Sequence, residues 1–222
     1  MSKNKLEKFA DNLSFPNFIQ ISHDVISEND APLKGNWHRD FFKNNNPIVL
    51  ELGCGKGEYT IELAQRYPHM NFIGVDKKGS RMWKGCKYSV ENGLSNVAFI
   101  RTQIQFLANY FAENEVSEIW LTFPDPQPKR SKVNKRLTSS MYLDIYKKIA
   151  TPNACVHLKT DNRVLFDYTL EVIDKLQFSL LEKNEDIYAS EIVNCDLAIQ
   201  TYYEKMWLEQ GLKIYYLKFC LI

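Results

Sequence analysis

Short runs of apolar residues alternate along most of the chain with segments in which apolar residues recur at helical spacing. The first run, Ile48-Val49-Leu50-Glu51-Leu52, predicts a buried strand that ends at a glycine-rich turn. The pattern predicts further strands at 71–76, 97–102, 118–123, 154–160, 177–182 and 213–221, and helices at about 57–67, 79–92, 103–112, 138–149 and 163–176. This alternation predicts an α/β fold, with a mostly parallel sheet and helices on both of its faces.

The two ends of the chain depart from this alternation. Residues 1–46 contain one predicted amphipathic helix near residues 6–13, and prolines interrupt the rest. We interpret residues 1–46 as an extension packed on the main domain, residues 47–222, with a disordered tail as the alternative. No ordinary helix directly precedes the last predicted strand, which indicates an antiparallel strand at the end of the sheet.

Composition excludes several classes of protein. The 222 residues are 45% hydrophobic and 25% charged, and no apolar run reaches the roughly 18 residues of a membrane span. The start of the chain lacks the continuous apolar stretch of a secretory signal. The 5 cysteines and 4 histidines do not have the spacing of metal ligands. We therefore expect reduced thiols, no metal, no membrane and a cytoplasmic protein.

The turn after the first strand carries the first candidate chemistry. Gly53, Gly55 and Gly57 permit a sharp turn and a close approach of a ligand to the backbone. The run lacks the third glycine of the dinucleotide fingerprint and the Gly-Lys-Ser/Thr of the phosphate loop. Glu51 at the strand end favours a cationic ligand, and Asp76 after the next strand can accept from a ribose diol. S-adenosylmethionine, which carries an ammonium, a sulfonium and no phosphate, meets both conditions; a purely structural turn, with Asp76 as a helix cap, is the alternative.

A carboxylate framed by prolines follows the predicted strand 118–123. In Pro124-Asp125-Pro126 the prolines stiffen the loop, so Asp125 is held at the carboxyl edge of the sheet, where open α/β folds bind ligands. Five basic residues then fall within eight positions that contain no acid: Lys129, Arg130, Lys132, Lys135 and Arg136. This cluster is typical of contact with nucleic-acid phosphates, although a solvated loop is the alternative.

These segments, in their order, resemble the bacterial tRNA (guanine-N7)-methyltransferases. The resemblance rests on residues 50–57, on Phe123-Pro124-Asp125-Pro126 with the basic loop, on Thr160-Asp161 and on Thr201-Tyr202-Tyr203-Glu204. It covers about residues 33–221. Its most specific element is Asp125 between prolines, followed by Lys129 and the basic loop.

The resemblance implies a Rossmann-like class I fold that uses S-adenosylmethionine, with Asp125 as the catalytic residue. Together with the glycine-rich turn, it predicts donor contacts from Glu51, Gly53, Gly55, Gly57, Asp76, Gln103 and Asp125. Together with the basic loop, it predicts tRNA contacts from Lys129, Arg130, Lys132, Lys135, Arg136, Asp161, Thr201, Tyr203 and Glu204. It further implies methylation of the variable-loop guanosine at tRNA position 46, giving 7-methylguanosine. We expect a monomer or a homodimer.

Three positions depart from the family pattern. Gln103 stands where an acid is common, Gln127 where Trp is common, and Lys132 where His is usual. An amide at position 103 can still donate to and accept from an adenine edge. Two other classes stay open: a methyltransferase of another RNA, a protein or a small molecule, and a non-catalytic RNA-binding module on the same fold.

The chemistry of guanine N7 limits the role of Asp125. N7 is an unprotonated lone pair, so its attack on a sulfonium methyl group needs no base to remove a proton. We expect Asp125 to hold the guanine N1–H and amino group, and to offset the positive charge that develops on the base. A turn acid that caps the next helix is the alternative.

Residues 201–210, without the resemblance, predict an amphipathic helix. On this pattern Tyr202, Tyr203 and Trp207 are expected to pack in the core or at an interface rather than to stack on bases.

Overall fold

The computed structural model describes residues 4–189 and 195–221, which form one mixed sheet with helices on both faces. The strands are β1 (Phe18–Gln20), β2 (Ile48–Leu52), β3 (Asn71–Asp76), β4 (Val97–Arg101), β5 (Val116–Thr122), β6 (Ala150–Thr160), β7 (Ser179–Asn184) and β8 (Tyr215–Cys220). The α-helices are α1 (Lys5–Asn12), α2 (His23–Ile26), α3 (Glu58–Arg66), α4 (Gly79–Glu91), α5 (Leu107–Tyr110), α6 (Ser140–Lys147), α7 (Arg163–Lys175) and α8 (Tyr202–Glu209). Short 3-10 segments occur at Ile104–Phe106, Arg130–Lys135 and Cys195–Ala198, and a π-helical segment at Trp37–Phe42.

The 8-stranded sheet has the order β1-β4-β3-β2-β5-β6-β8-β7. Neighbouring strands pair in parallel except at β8, which is antiparallel to both β6 and β7. The prediction of a mostly parallel sheet with an antiparallel terminal strand is confirmed. Because β2 to β6 run in the same direction, their carboxyl ends meet at one edge of the sheet.

Both faces of the sheet are covered, which explains why β2 is apolar except for Glu51 and why all 5 of its residues are buried. Side chains alternate between the faces along β5: Ile119 and Leu121 belong to one hydrophobic cluster, and Trp120 belongs to the other. The cluster around Trp120 also contains Tyr59 and Tyr216. The sheet therefore provides a rigid platform on which the loops at its carboxyl edge are held.

The described part of the predicted N-terminal extension lies against the main sheet. β1 pairs in parallel with β4, and Trp37 is fully buried, donating from its indole nitrogen to the Tyr110 carbonyl at 2.9 Å. The buried Asn12 side chain donates to the Gly79 carbonyl at 2.8 Å. A division of the chain at residues 46 and 47 stays a prediction.

The predicted helix at 103–112 is much shorter in the structure. It consists of a 3-10 turn at Ile104–Phe106 followed by the four residues of α5. Phe111 leaves the helix in an extended conformation, and its buried ring stacks on Trp37 with centroids 5.4 Å apart. Tertiary packing therefore ends a helix that the local sequence would continue.

Candidate active site

Functional side chains predicted from separate parts of the chain meet at the carboxyl edge of the sheet. The ends of adjacent parallel strands lie in register there, so the loops that follow β2, β3, β4, β5 and β6 are neighbours. The terminal pairs are Leu52 with Val75, Asp76 with Arg101, and Thr122 with Lys159.

In the glycine-rich turn after β2, the backbone has positive φ angles, a conformation that residues other than glycine rarely adopt. Gly53, Gly55 and Gly57 have φ values of 84°, 58° and 74°. A Cβ on Gly57 would lie 2.5 Å from the Phe99 ring, whereas a Cβ on Gly53 would meet nothing within 4 Å. The turn is therefore closed towards the core and open at Gly53, where a ligand can approach the backbone.

Glu51 is buried beneath this turn, with 3% of its surface exposed. One carboxylate oxygen accepts from the Thr60 amide at 2.8 Å and from the Thr60 hydroxyl, and the other accepts from the Thr122 hydroxyl at 2.7 Å. Burial raises the pKa of Glu51 to about 7, against the opposing effect of these hydrogen bonds. A cation beside Glu51 would favour the ionised form, so this position suits the ammonium of S-adenosylmethionine.

Asp76 ties the turn to the end of β3. Its carboxylate accepts from the Gly55 amide at 3.0 Å and from the Lys78 amide at 2.8 Å. A carboxylate has about four lone-pair sites, so Asp76 can accept further hydrogen bonds from a ribose. Gln103 is exposed just beyond the end of β4. Apart from Asp125, the residues predicted for the donor thus lie at the ends of three neighbouring strands, β2, β3 and β4, and they fit S-adenosylmethionine. Their individual contacts stay predictions.

Asp125 is exposed in the loop after β5, and the backbone around it is constrained. Phe123 and Gln127 on either side have φ values of 49° and 44°, a left-handed conformation that is unfavourable for such residues. The Asp125 carboxylate accepts from the Gln127 amide at 3.0 Å, and the Phe123 amide donates to the Lys159 carbonyl at 2.8 Å. The loop is therefore anchored to β6, with the Asp125 side chain held at the edge.

The basic loop divides into exposed and buried members. Lys129, Arg130, Lys132 and Lys135 are exposed, as a phosphate-binding role requires. Arg136 is only 5% exposed.

Arg136 therefore differs from the sequence prediction of a phosphate contact. Its guanidinium donates to the Pro126 carbonyl at 3.0 Å and lies 4.4 Å from the centre of the Tyr168 ring. In this position Arg136 supports the Asp125 loop from within the protein. In the sequence Arg136 is one of five similar cations, so nothing there distinguishes this buried residue from the exposed ones.

The predicted tRNA-binding residues after β6 lie on the same side of the molecule but differ in exposure. Asp161 is half-buried directly after β6, and burial raises its pKa. Thr201 caps α8, accepting from the Glu204 amide at 3.2 Å. Tyr203 is 40% exposed, and its hydroxyl accepts from Arg81. Glu204 is fully buried and forms an ion pair with a residue of β6, so its side chain presents no surface to RNA in this structure.

Tyr202 and Tyr203 at the start of α8 do not pack in the core, so their expected packing at an interface stays a prediction. Tyr202 is 52% exposed, and Lys56 of the glycine-rich turn lies 4.3 Å from the centre of its ring. Trp207, by contrast, packs against the cluster around Trp120. The start of α8 therefore lies beside the donor turn.

Several residues that organise this edge carry no recognisable motif in the sequence. Thr60 and Thr122 hold the Glu51 carboxylate, and Lys159 forms the buried ion pair with Glu204. The available signal for Lys159 was a cation close to the end of a predicted strand of the central sheet, where a charge must find a partner if it is buried. Within residues 4–189 and 195–221, no group of three His, Cys, Asp or Glu side chains is arranged as metal ligands, and no helix is long and apolar enough to cross a membrane.

Comparison with known proteins identifies the class. A family model described as "Putative methyltransferase" matches residues 45–217. The 16S rRNA methyltransferase KamB superposes with a TM-score of 0.63 at 13% identity, over 86% of this chain and 94% of KamB. A structure of a 16S rRNA (adenine(1408)-N(1))-methyltransferase with the cosubstrate SAM has a TM-score of 0.58 at 12% identity, over 86% and 92% of the two chains. The family model and the fold together define a class I S-adenosylmethionine-dependent methyltransferase, which confirms the predicted fold class and donor.

Sequence relatives then give the family. The tRNA (guanine-N(7)-)-methyltransferase of Bacteroides fragilis is 50% identical over 221 residues, which cover 100% of this chain and 87% of the relative. The protein of the same name from Christiangramia forsetii is 49% identical over 98% of both chains. The chain belongs to the tRNA (guanine-N7)-methyltransferase family, and the predicted resemblance and enzyme activity are confirmed.

Proposed function

We propose that this tRNA (guanine-N7)-methyltransferase acts on the variable-loop guanosine at tRNA position 46, with Asp125 as the residue that contacts the base. The position of Asp125 carries the proposal. Its exposed carboxylate stands in a constrained loop between the donor edge and a set of exposed cations. A tRNA substrate also supports a cytoplasmic location.

The residues of the donor edge have separate tasks in this proposal. Bound S-adenosylmethionine supplies an electrophilic methyl group on its sulfonium. Glu51 neutralises the donor's ammonium, Asp76 accepts from the ribose, and Gln103 pairs with the adenine edge. The glycine-rich turn provides the close backbone approach at Gly53.

Asp125 orients the base and stabilises charge. One of its oxygens already accepts from the Gln127 amide, which fixes the direction of the carboxylate. The remaining lone pairs accept from the guanine N1–H and amino group, so N7 faces the methyl group and the developing positive charge lies near a negative one. No proton leaves N7, so no general base is required.

Methyl incorporation into defined tRNAs tests the proposed substrate. We expect a transcript with guanosine at position 46 to be methylated and to contain 7-methylguanosine there. The matched transcript with adenosine at position 46 should take up no methyl group. Equal incorporation into both transcripts would contradict the proposed position, and incorporation into ribosomal RNA or protein instead of tRNA would favour one of the other substrate classes.

The exposed cations of the basic loop should determine the salt dependence of tRNA binding. Lys132→Gln/Lys135→Gln is expected to lower the slope of log affinity against log salt by roughly 1 to 2 units, because each phosphate contact releases counterions. Filter binding at several salt concentrations measures the slope. The matched control Lys147→Gln/Lys148→Gln removes the same charge at the end of α6 and should leave it unchanged. Equal slopes for both variants would mean that the basic loop is a solvated surface that does not contact phosphates.

A further inference from the structure

Lys159 lies at the carboxyl end of β6 and is completely buried, as is Glu204, its partner in α8. The ammonium nitrogen is 2.7 Å from a carboxylate oxygen of Glu204. It also donates to the Leu197 carbonyl at 2.7 Å and to the Ile199 carbonyl at 2.9 Å. An ammonium has three donors, so these three acceptors use all of them.

The three acceptors come from one stretch of chain, residues 197–204, that joins the 3-10 turn at Cys195–Ala198 to α8. Lys159 therefore attaches this stretch to the central sheet at three points. The Tyr188 hydroxyl adds a bond to the same Glu204 oxygen at 2.8 Å. Such a set of buried, charge-assisted hydrogen bonds specifies one position for the stretch.

The attached stretch faces the donor turn. The Tyr202 amide donates to Glu58, the first residue of α3, at 3.0 Å, and Lys56 lies over the Tyr202 ring. The backbone carbonyl of Lys159 also accepts a hydrogen bond from the Phe123 amide of the Asp125 loop. One residue thus connects the Asp125 loop, through its backbone, to the start of α8, through its side chain.

We propose that Lys159 is a positioning residue of the methyltransferase reaction, which fixes the Thr201–Glu204 segment relative to the Asp125 loop. Glu204 contributes to tRNA binding from inside the protein, as the counter-charge of Lys159, and does not contact the RNA. The exposed Tyr202 and Tyr203 are the side chains that this arrangement presents at the edge. The inference rests on the proposed function, because it assumes that tRNA meets this edge.

The test removes both charges at once. A single change would leave an unpaired charge in the core, whereas an uncharged pair of similar volume is commonly tolerated. Lys159→Met/Glu204→Gln keeps an acceptor for the Tyr188 hydroxyl and deletes the bonds to the Leu197 and Ile199 carbonyls. Thr138→Val/Thr169→Val is the matched control, since this fully buried pair, with its oxygens 2.8 Å apart, lies outside the stretch.

We expect the charge-free variant to keep a cooperative thermal transition. Hydrogen exchange at amides 201–205 should become roughly tenfold faster, because the local opening of this segment is no longer opposed by the three bonds. The KM for tRNA should rise roughly tenfold or more through misplacement of the segment, while the affinity for S-adenosylmethionine changes less than about threefold. The control variant should show neither change.

Each other outcome contradicts the proposal. Faster exchange with an unchanged KM would mean that tRNA does not depend on the position of the segment. A raised KM with unchanged exchange would mean that Glu204 or Lys159 acts on the RNA directly. If kcat fell only in proportion to the amount of folded protein and KM were unchanged, the ion pair would have only a structural role. Failure of the wild-type protein to methylate any tRNA would instead overturn the proposed function, and this role with it.

Discussion

Replacement of Asp125 by Asn is expected to lower the single-turnover rate of tRNA methylation by roughly 10²-fold or more, the size of effect seen when one transition-state contact is lost. Asn keeps an oxygen that can accept from the Gln127 amide, so the loop geometry should survive. It offers guanine only one carbonyl acceptor for two donors, and it removes the negative charge. The loss therefore reports on base orientation and charge stabilisation.

The pH profile separates this role from general-base catalysis. Because N7 carries no proton, the residual rate of Asp125→Asn should show no new pH dependence where a carboxylate titrates. Single-turnover methylation across pH, with saturating donor and tRNA, measures it. Asp144→Asn, which removes the same charge from an exposed position on α6, should match the wild-type protein. Near-wild-type rates for Asp125→Asn would refute the assignment, and recovery at high pH would indicate a base.

The parallel part of the sheet was predictable because its strands are buried on both faces. The run at Ile48–Leu52 is apolar except for Glu51, and the structure has a strand with these bounds. The predicted strand at 71–76 also has the observed bounds, and its final Asp76 was recognisable as a strand-end residue. Since parallel strands align their carboxyl ends, the pattern alone placed the candidate donor and base sites at one edge.

The burial of individual charges was not predictable, because it depends on partners far away in the sequence. The buried Arg136 donates to the carbonyls of Pro126 and Gln127, which lie ten and nine positions earlier in the sequence. Glu204 is buried by Lys159, which lies 45 positions earlier in β6. In both cases the local sequence resembles an exposed polar segment. Only the tertiary structure distinguishes a residue that contacts RNA from one that supports the residues beside it.

The ionisation of Glu51 leads to a second large effect, on donor binding. Burial raises its pKa from 4.5 to about 7, so the carboxyl is mostly neutral in the free enzyme below pH 7. The donor's α-amino group keeps its charge up to about pH 7.7–8.0. We therefore expect the affinity for S-adenosylmethionine to increase as the pH rises from about 5 to 7, because binding to the ammonium requires the ionised carboxylate.

The same shift has the opposite sign for the stability of the free enzyme. Between pH 4.5 and about 7 the folded state holds a proton on Glu51 that the unfolded state has lost, so the free energy of unfolding falls as the pH rises through this range. Glu51→Gln can keep the local hydrogen bonds, accepting from the Thr60 amide and donating to the Thr122 hydroxyl. Because Gln does not ionise, the free energy of unfolding of this variant should not fall in this range. The variant should therefore be more stable than the wild-type protein at pH 8, by on the order of 2–3 kcal/mol.

Glu51→Gln should thus gain stability and lose donor binding. Its affinity for S-adenosylmethionine at pH 7.5 is expected to be roughly 10- to 100-fold weaker, since one charged hydrogen bond is replaced by a neutral one. Its affinity should also no longer rise between pH 5 and 7. Calorimetry across pH measures the affinity, and urea unfolding at pH 8 measures the stability. A Glu51→Gln variant that is more stable but binds the donor with unchanged affinity and pH dependence would contradict the assignment. In that case the ammonium of the donor would bind elsewhere and not beside the Glu51 carboxylate.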